Sequence, residues 1–219
     1  MIDAVIFDLD GVLVDSEAIW SAAREQLVHE RGGRWREDSA TAMMGMSAPE
    51  WSRYMHDQLG VRLPPGRIAA EVTERLLALY RERLPLMANA RESLARLAAR
   101  WQLGLASSAN RSIIELVLER GGVRGLFAAT VSSEEVARGK PAPDVYLEAA
   151  RRLGRDPRRC AAVEDSSNGL RSAHAAGMLL AALPNRDFPP SPDALALADV
   201  VVDSLPALRP QLERLSARA

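Results

Sequence analysis

The chain has 219 residues, 47% of them hydrophobic and 26% charged, a balance that points to an ordinary folded globular protein. Its 28 Lys+Arg stand against 29 Asp+Glu, and a formal net charge of -1 gives no electrostatic reason to expect nucleic acid or an anionic membrane as partner. Cys160 is the single cysteine, which excludes an intrachain disulfide; the opening stretch MIDAVIFDLD carries no basic leader, and no apolar run approaches the roughly 20 residues of a membrane span, so the expected address is the cytoplasm.

Residues 2 to 7 form a short, mostly apolar run that ends in Asp8-Leu9-Asp10-Gly11. This is the pattern of a buried parallel strand feeding a loop, and it sets both acids at the strand's C-terminal end. Residues 16 to about 84 then read as consecutive helices, with loops at Arg31-Gly32-Gly33 and Leu63-Pro64-Pro65-Gly66. The chain returns near Leu84-Pro85-Leu86, so both connections of this helical insertion are expected close to the Asp8 loop, the topology of a lid over a site. Strand-like runs follow at Leu103 to Ala106, Ala128 to Val131, Cys160 to Val163, Met178 to Leu183 and Val200 to Val202. Helical spacing covers Ala90 to Ala99, Ser112 to Arg120, Pro143 to Leu153 and Gly169 to Ala176. The alternation predicts an α/β fold, a doubly wound parallel sheet with a helical segment inserted after the first strand. The Pro-rich stretch from Phe188 to Pro192 reads as a late surface loop.

In such sheets ligands gather at the carboxyl ends of the strands. The first strand delivers Asp8 and Asp10, the Leu103 strand Ser107, Ser108 and Asn110, the segment after Val131 Lys140, and the Cys160 strand Glu164 and Asp165. Taken singly these are weak signals: Asp-x-Asp is common in solvated loops, Ser107 suits a helix cap, Lys140 suits a surface, and Glu164-Asp165-Ser166 suits an N-cap cluster. Their combination carries the chemistry. Two acidic strand ends converging on one point repel each other unless a hard cation lies between them, and Mg2+ is the economical choice. His29, His56, His174 and Cys160 are too scattered to suggest zinc.

Four segments, Phe7 to Glu17, Leu105-Ala106-Ser107-Ser108, Lys140-Pro141-Ala142-Pro143-Asp144 and Val163-Glu164-Asp165-Ser166, occur in that order and together resemble the haloacid dehalogenase-like superfamily over essentially the whole chain. Within it, the chain most resembles the phosphatase and β-phosphoglucomutase group of subclass I. The resemblance implies a Rossmann-like core over residues 1–15 and 85–219 and a helical cap domain over 16–84. It implies a Mg2+-dependent phosphatase acting on a small phosphorylated metabolite, with sugar phosphates and phosphoglycolate as natural candidates. Asp8 would attack phosphorus and form an aspartyl-phosphate, and Asp10 would serve as general acid and base. Ser107, followed by Ser108 and Asn110, would bind the phosphoryl group with Lys140, while Asp8, the backbone carbonyl of Asp10, Glu164 and Asp165 would complete the magnesium shell. Glu17 and Trp20, just past the first motif, are expected to face the leaving group, and a monomer is the expected state.

Asp10 and Asp165 argue against a dehalogenase. In the β-phosphoglucomutase pattern a histidine follows the first motif and an arginine follows a Gly-x-Ser of the cap; the matching positions here are Trp20 and Ala48, in Met44-Gly45-Met46-Ser47-Ala48. Both departures favour hydrolysis over a mutase. The reading from a different class, a catalytically silent binding module that kept the fold, is disfavoured by the complete motif set. Met43, Met44, Met46, Trp51, Tyr54 and Met55 read as packing of the helical segment, and Cys160 as a small core residue at a strand start.

Overall fold

The computed structural model describes residues 1–218. The first apolar run forms β1 (Ala4–Phe7), buried along its whole length. The chain then leaves the sheet for α1 (Glu17–Glu30), α2 (Ser39–Met43), α3 (Ala48–Asp57) and α4 (Pro65–Glu82). It returns through α5 (Ala90–Ala98), β2 (Gln102–Ser107), α6 (Arg111–Arg120), β3 (Phe127–Ser132), α7 (Asp144–Leu153), β4 (Cys160–Glu164), α8 (Ser167–Ala175), β5 (Leu179–Ala182), α9 (Pro192–Leu195), β6 (Val200–Val201) and α10 (Leu205–Arg218). The six strands are ordered β3-β2-β1-β4-β5-β6, and every pair is parallel.

Alternate residues of each strand feed two cores, as a period of two requires. Val5, Phe7, Ala161 and Val163 pack with Leu94 of α5, Ile113 of α6 and Leu208 of α10. Ala4, Ile6, Cys160 and Ala162 pack on the other face with Tyr146 and Ala149 of α7 and Leu170 of α8. Covering both faces is why the strands are almost uninterruptedly apolar. The predicted strands and helices stand within a residue or two of the observed ones. Two elements go beyond the expectation. Pro192 ends the stretch read as a surface loop and opens α9, because a proline at a helix's first position loses no needed N–H. Helix α10 contains Pro210, which obscured its pattern, yet it buries Leu208 and Leu212.

The strand order reverses between β1 and β4, the switch point at which a ligand crevice opens. Asp8 and Asp165 follow these two strands directly. The connections into and out of the helical insertion run side by side beside them. The Asp15 N–H donates to the Pro85 carbonyl at 2.8 Å, and the Met87 N–H to the Leu13 carbonyl at 2.9 Å. Helices α3 and α4 close the insertion around Trp51, Met55, Ile68, Val72 and Leu76, all buried. No described helix is long and apolar enough to cross a membrane.

Candidate active site

Asp8 is 6% exposed, and its carboxylate meets a buried cation. Lys140 Nζ donates to Asp8 Oδ1 at 2.6 Å and to Glu164 Oε1 at 2.5 Å. The same ammonium lies 5.1 Å from the centre of the Tyr146 ring, whose hydroxyl donates to Glu164 Oε1 at 2.7 Å. Burial alone would push the Lys140 ammonium toward neutrality, but the Asp8 and Glu164 carboxylates outweigh it and hold Lys140 above its ordinary range. For Asp8, burial is the largest influence; the attraction of Lys140 offsets it only in part, and the carboxyl is pushed up to about 8.

Glu164 is completely buried and saturated with donors. Besides Lys140 and Tyr146 on Oε1, its Oε2 accepts from the Asp165 N–H at 3.1 Å and the Ser166 N–H at 3.3 Å. The Ser166 hydroxyl adds a third bond to Oε2 at 3.2 Å. A Cβ on Gly169 would lie 2.0 Å from the Glu164 carboxyl carbon, so only glycine lets the first turn of α8 close over it. Five donors use the lone pairs of this carboxylate, which makes Glu164 the anchor of Lys140.

Asp165 is different. One oxygen from each of Asp8, Glu164 and Asp165 lies within 4.8 Å of the others, a spacing suited to sharing a hard cation. Asp165 Oδ2 is buried without a hydrogen-bond partner among the described residues. Burial, and then repulsion by Glu164 and Asp8, raises its carboxyl well above the usual range. Gly11 makes room for it: with φ at +75°, a Cβ there would stand 1.8 Å from Asp165 Oδ2. An orphaned oxygen on a crowded carboxylate, cradled by a residue without a side chain, fits a divalent cation bound by oxygen. The Asp10 carboxylate is engaged elsewhere: its Oδ1 accepts from Trp20 Nε1 at 2.8 Å, and burial raises its pKa.

Glu17, Trp20 and Arg24 share one face of α1 at helical spacing and line the same cavity as Asp8, Asp10 and Lys140. Burial, reinforced by Asp10, pushes the Glu17 carboxyl up to about 7. The far side of this cavity is formed by Met43, Met44, Met46 and Trp51. Met43 and Trp51 are also fully packed, so the residues read as packing of the insertion double as a cavity wall.

The hydroxyl residues of β2 divide their tasks. Ser107 is wholly buried and its Oγ accepts the Ala109 N–H at 3.0 Å, shaping the turn after the strand. Ser108 lines the cavity and donates to the Gly45 carbonyl of the insertion at 3.0 Å. Asn168 makes the companion contact, donating to the Met44 carbonyl at 3.1 Å. Asn110, expected beside the phosphoryl group, is drawn off: its amide donates to Glu134 Oε1 at 2.6 Å, and its carbonyl accepts from Thr73 at 3.2 Å. Three participants were missed by sequence reasoning: Tyr146, Arg24 and Trp51. For Arg24 the signal was its position one turn beyond Trp20, on the face that begins with Glu17.

A family model described as haloacid dehalogenase-like hydrolase matches residues 2–177. Hexitol phosphatase B of Escherichia coli K12 is 34% identical over 94% of this chain and 93% of its own length. The crystal structure of CbbY from Rhodobacter sphaeroides in complex with phosphate superposes with a TM-score of 0.83 at 29% identity, over 95% of this chain and 96% of that one. The β-phosphoglucomutase of Clostridium difficile gives a TM-score of 0.83 at 25% identity, over 95% of this chain and 93% of that one.

Proposed function

The chain belongs to the haloacid dehalogenase-like hydrolase family, and from that membership we propose that it is a Mg2+-dependent phosphatase that hydrolyses a sugar or polyol monophosphate through phosphorylated Asp8. The observation that carries the proposal is the pairing of Asp8, held by Lys140 at 2.6 Å, with Asp165, whose buried oxygen has no partner among the described residues. The similarity to hexitol phosphatase B supports a polyol or sugar phosphate as substrate.

In this reading Asp8 displaces the alcohol from phosphorus, and a water then releases phosphate, which splits one difficult displacement into two. Lys140 positions the Asp8 carboxylate and opposes the charge of the incoming phosphate. Asp10, with a raised pKa, carries a proton to the departing alkoxide and takes one from the attacking water. Ser108, which lines the cavity, faces the phosphoryl oxygens, whereas Ser107, expected to bind them, is wholly buried and shapes the turn beneath it through the Ala109 N–H. Asp8, Asp165 and the backbone carbonyl of Asp10 would hold the ion, while Glu164, expected in the magnesium shell, lies beside it with its oxygens engaged by five donors and acts through Lys140. Bound magnesium supplies Lewis-acid stabilisation of the phosphoryl oxygens and relieves the repulsion among the carboxylates. Residues 16–84 act as a cap domain on a core of 1–15 and 85–219, joined to it beside the cavity by the Ser108 and Asn168 contacts.

Trp20 favours hydrolysis over a mutase. An indole N–H can only donate, so it holds the Asp10 carboxylate without exchanging protons with a bound intermediate. The test is phosphate release from hexitol and hexose monophosphates with and without a chelator. Turnover that needs the metal and disappears in Asp8→Asn supports the reading; turnover indifferent to both rejects it.

A further inference from the structure

Arg24 is a cation in an unusual setting. It is 6% exposed, in the second turn of α1, and lines the cavity shared with Asp8 and Asp10. Its guanidinium carbon lies 4.5 Å from the Trp20 ring centre and 5.0 Å from that of Trp51. The two indoles meet edge-on with centroids 6.0 Å apart, so the planar group is clamped between α1 and α3. Burial lowers its pKa to about 10, which leaves it charged at neutral pH. Indole faces attract a cation but offer its N–H groups only weak π acceptors. Nε is buried with no hydrogen-bond partner among the described residues. A buried donor without an acceptor is costly, and the cavity that Arg24 lines is open to an acceptor carried by a ligand.

The position limits what that acceptor is. Trp20 donates to Asp10, the group set to protonate the leaving oxygen, and Arg24 is one helical turn farther along the same face. It therefore meets atoms of the leaving group beyond the ester oxygen. Glu17 opens that face and lines the same cavity, so a donor and an acceptor look into one space. A carboxylate or second phosphate would suit Arg24 but would bring no donor for Glu17 and would meet it with like charge whenever Glu17 is ionised. A hydroxyl accepts from the guanidinium and donates to the carboxylate, and satisfies both.

Resting on the phosphatase reading, we propose that Arg24, clamped by Trp20 and Trp51 and working with Glu17, selects substrates by the hydroxyl groups of a neutral polyol or sugar leaving group. A site built to hydrogen-bond hydroxyls discriminates strongly against analogues that lack them, because its buried polar groups are then left unpaired.

The test compares a hexitol monophosphate, p-nitrophenyl phosphate and a hexose bisphosphate on the full chain with Mg2+, for wild type, Arg24→Met and Arg24→Lys. Both variants should lower kcat/KM for the hexitol phosphate at least about tenfold more than for the aryl phosphate, mainly through KM. The lysine variant keeps the charge on a similar stem but lacks the planar fork, and guards against a folding defect in the methionine variant. Independently, hexitol phosphate binding to Asp8→Asn should change the tryptophan fluorescence, and adding Arg24→Met should abolish that change. Equal losses on the hexitol and aryl phosphates, with magnesium-dependent aryl turnover retained, would overturn the role of Arg24 while leaving the phosphatase reading standing. A wild-type preference for the bisphosphate would also overturn it. Absence of turnover on every substrate would overturn both.

Discussion

Lys140 reaches Asp8 at 2.6 Å across 132 positions of sequence, and is itself held from behind by Glu164 at 2.5 Å. The ammonium is 2% exposed and the Glu164 side chain is fully buried, so the pair is fixed in a low-dielectric setting. Removing the cation leaves the buried Asp8 carboxylate without its hydrogen-bond partner and Glu164 without its only counter-charge among the described residues. Lys140→Met is expected to destabilise the metal-free protein by about 3–5 kcal/mol, the usual cost of breaking a buried pair. Urea denaturation in chelator measures it, and a loss below about 1 kcal/mol would contradict the role given to Lys140.

Gly11 offers a second test. Alanine there meets two obstacles, a backbone φ of +75° and a Cβ 1.8 Å from Asp165 Oδ2. Gly11→Ala is expected to cost about 1–3 kcal/mol in backbone strain and to weaken magnesium binding, since Asp165 must turn aside. Magnesium titration followed by thermal shift checks this. Unchanged affinity in a folded variant would show that Asp165 is not a ligand.

The pH dependence of stability follows from the raised carboxyls. Asp8 moves from 3.8 to about 8 and Glu17 from 4.5 to about 7 in the folded, metal-free chain. The folded state then holds more protons than the unfolded one across that window. The stabilising contribution of these groups is complete below the unfolded values and is lost as pH rises through the folded values. In chelator, Tm should fall between about pH 5 and about pH 9, and Mg2+ should restore more of it at the alkaline end. A Tm that climbs with pH in chelator would contradict this.

Trp20→Phe keeps most of the ring and removes the N–H held by Asp10 Oδ1 at 2.8 Å. A hydrogen bond to a carboxylate lowers its pKa, so losing it raises that of Asp10 further. Asp10 must be protonated when the alcohol leaves, and activity is lost as pH rises through its pKa. The alkaline limb of kcat/KM should therefore shift to higher pH in the variant. A shift toward lower pH would remove Asp10 from the role of acid.

What the sequence reveals of this site follows the reach of each signal. The strand ends carrying Asp8, Asp10, Glu164 and Asp165 are legible because buried parallel strands are apolar runs that stop abruptly at polar residues. The insertion is legible because nothing between α1 and α4 alternates as a strand does. Arg24 is not legible. A basic residue on an amphipathic helix reads as solvated, and its burial depends on Trp51, brought from a different helix. Asn110 turns away from the cavity because Glu134, 24 residues later, takes its amide. Glu164 and Asp165 look equivalent side by side, yet neighbouring side chains rotate to opposite faces of the chain. One meets Lys140 and Tyr146, and the other points beside Gly11.

The claim that all else depends on is that phosphorus passes through Asp8 rather than directly to water. Hydrolysis of an isotopically chiral phosphate monoester in isotopically labelled water reads this without requiring any intermediate to accumulate. Two successive in-line displacements, at Asp8 and then by water, predict phosphate with net retention of configuration at phosphorus. Net inversion would mean a single direct displacement and would contradict the account.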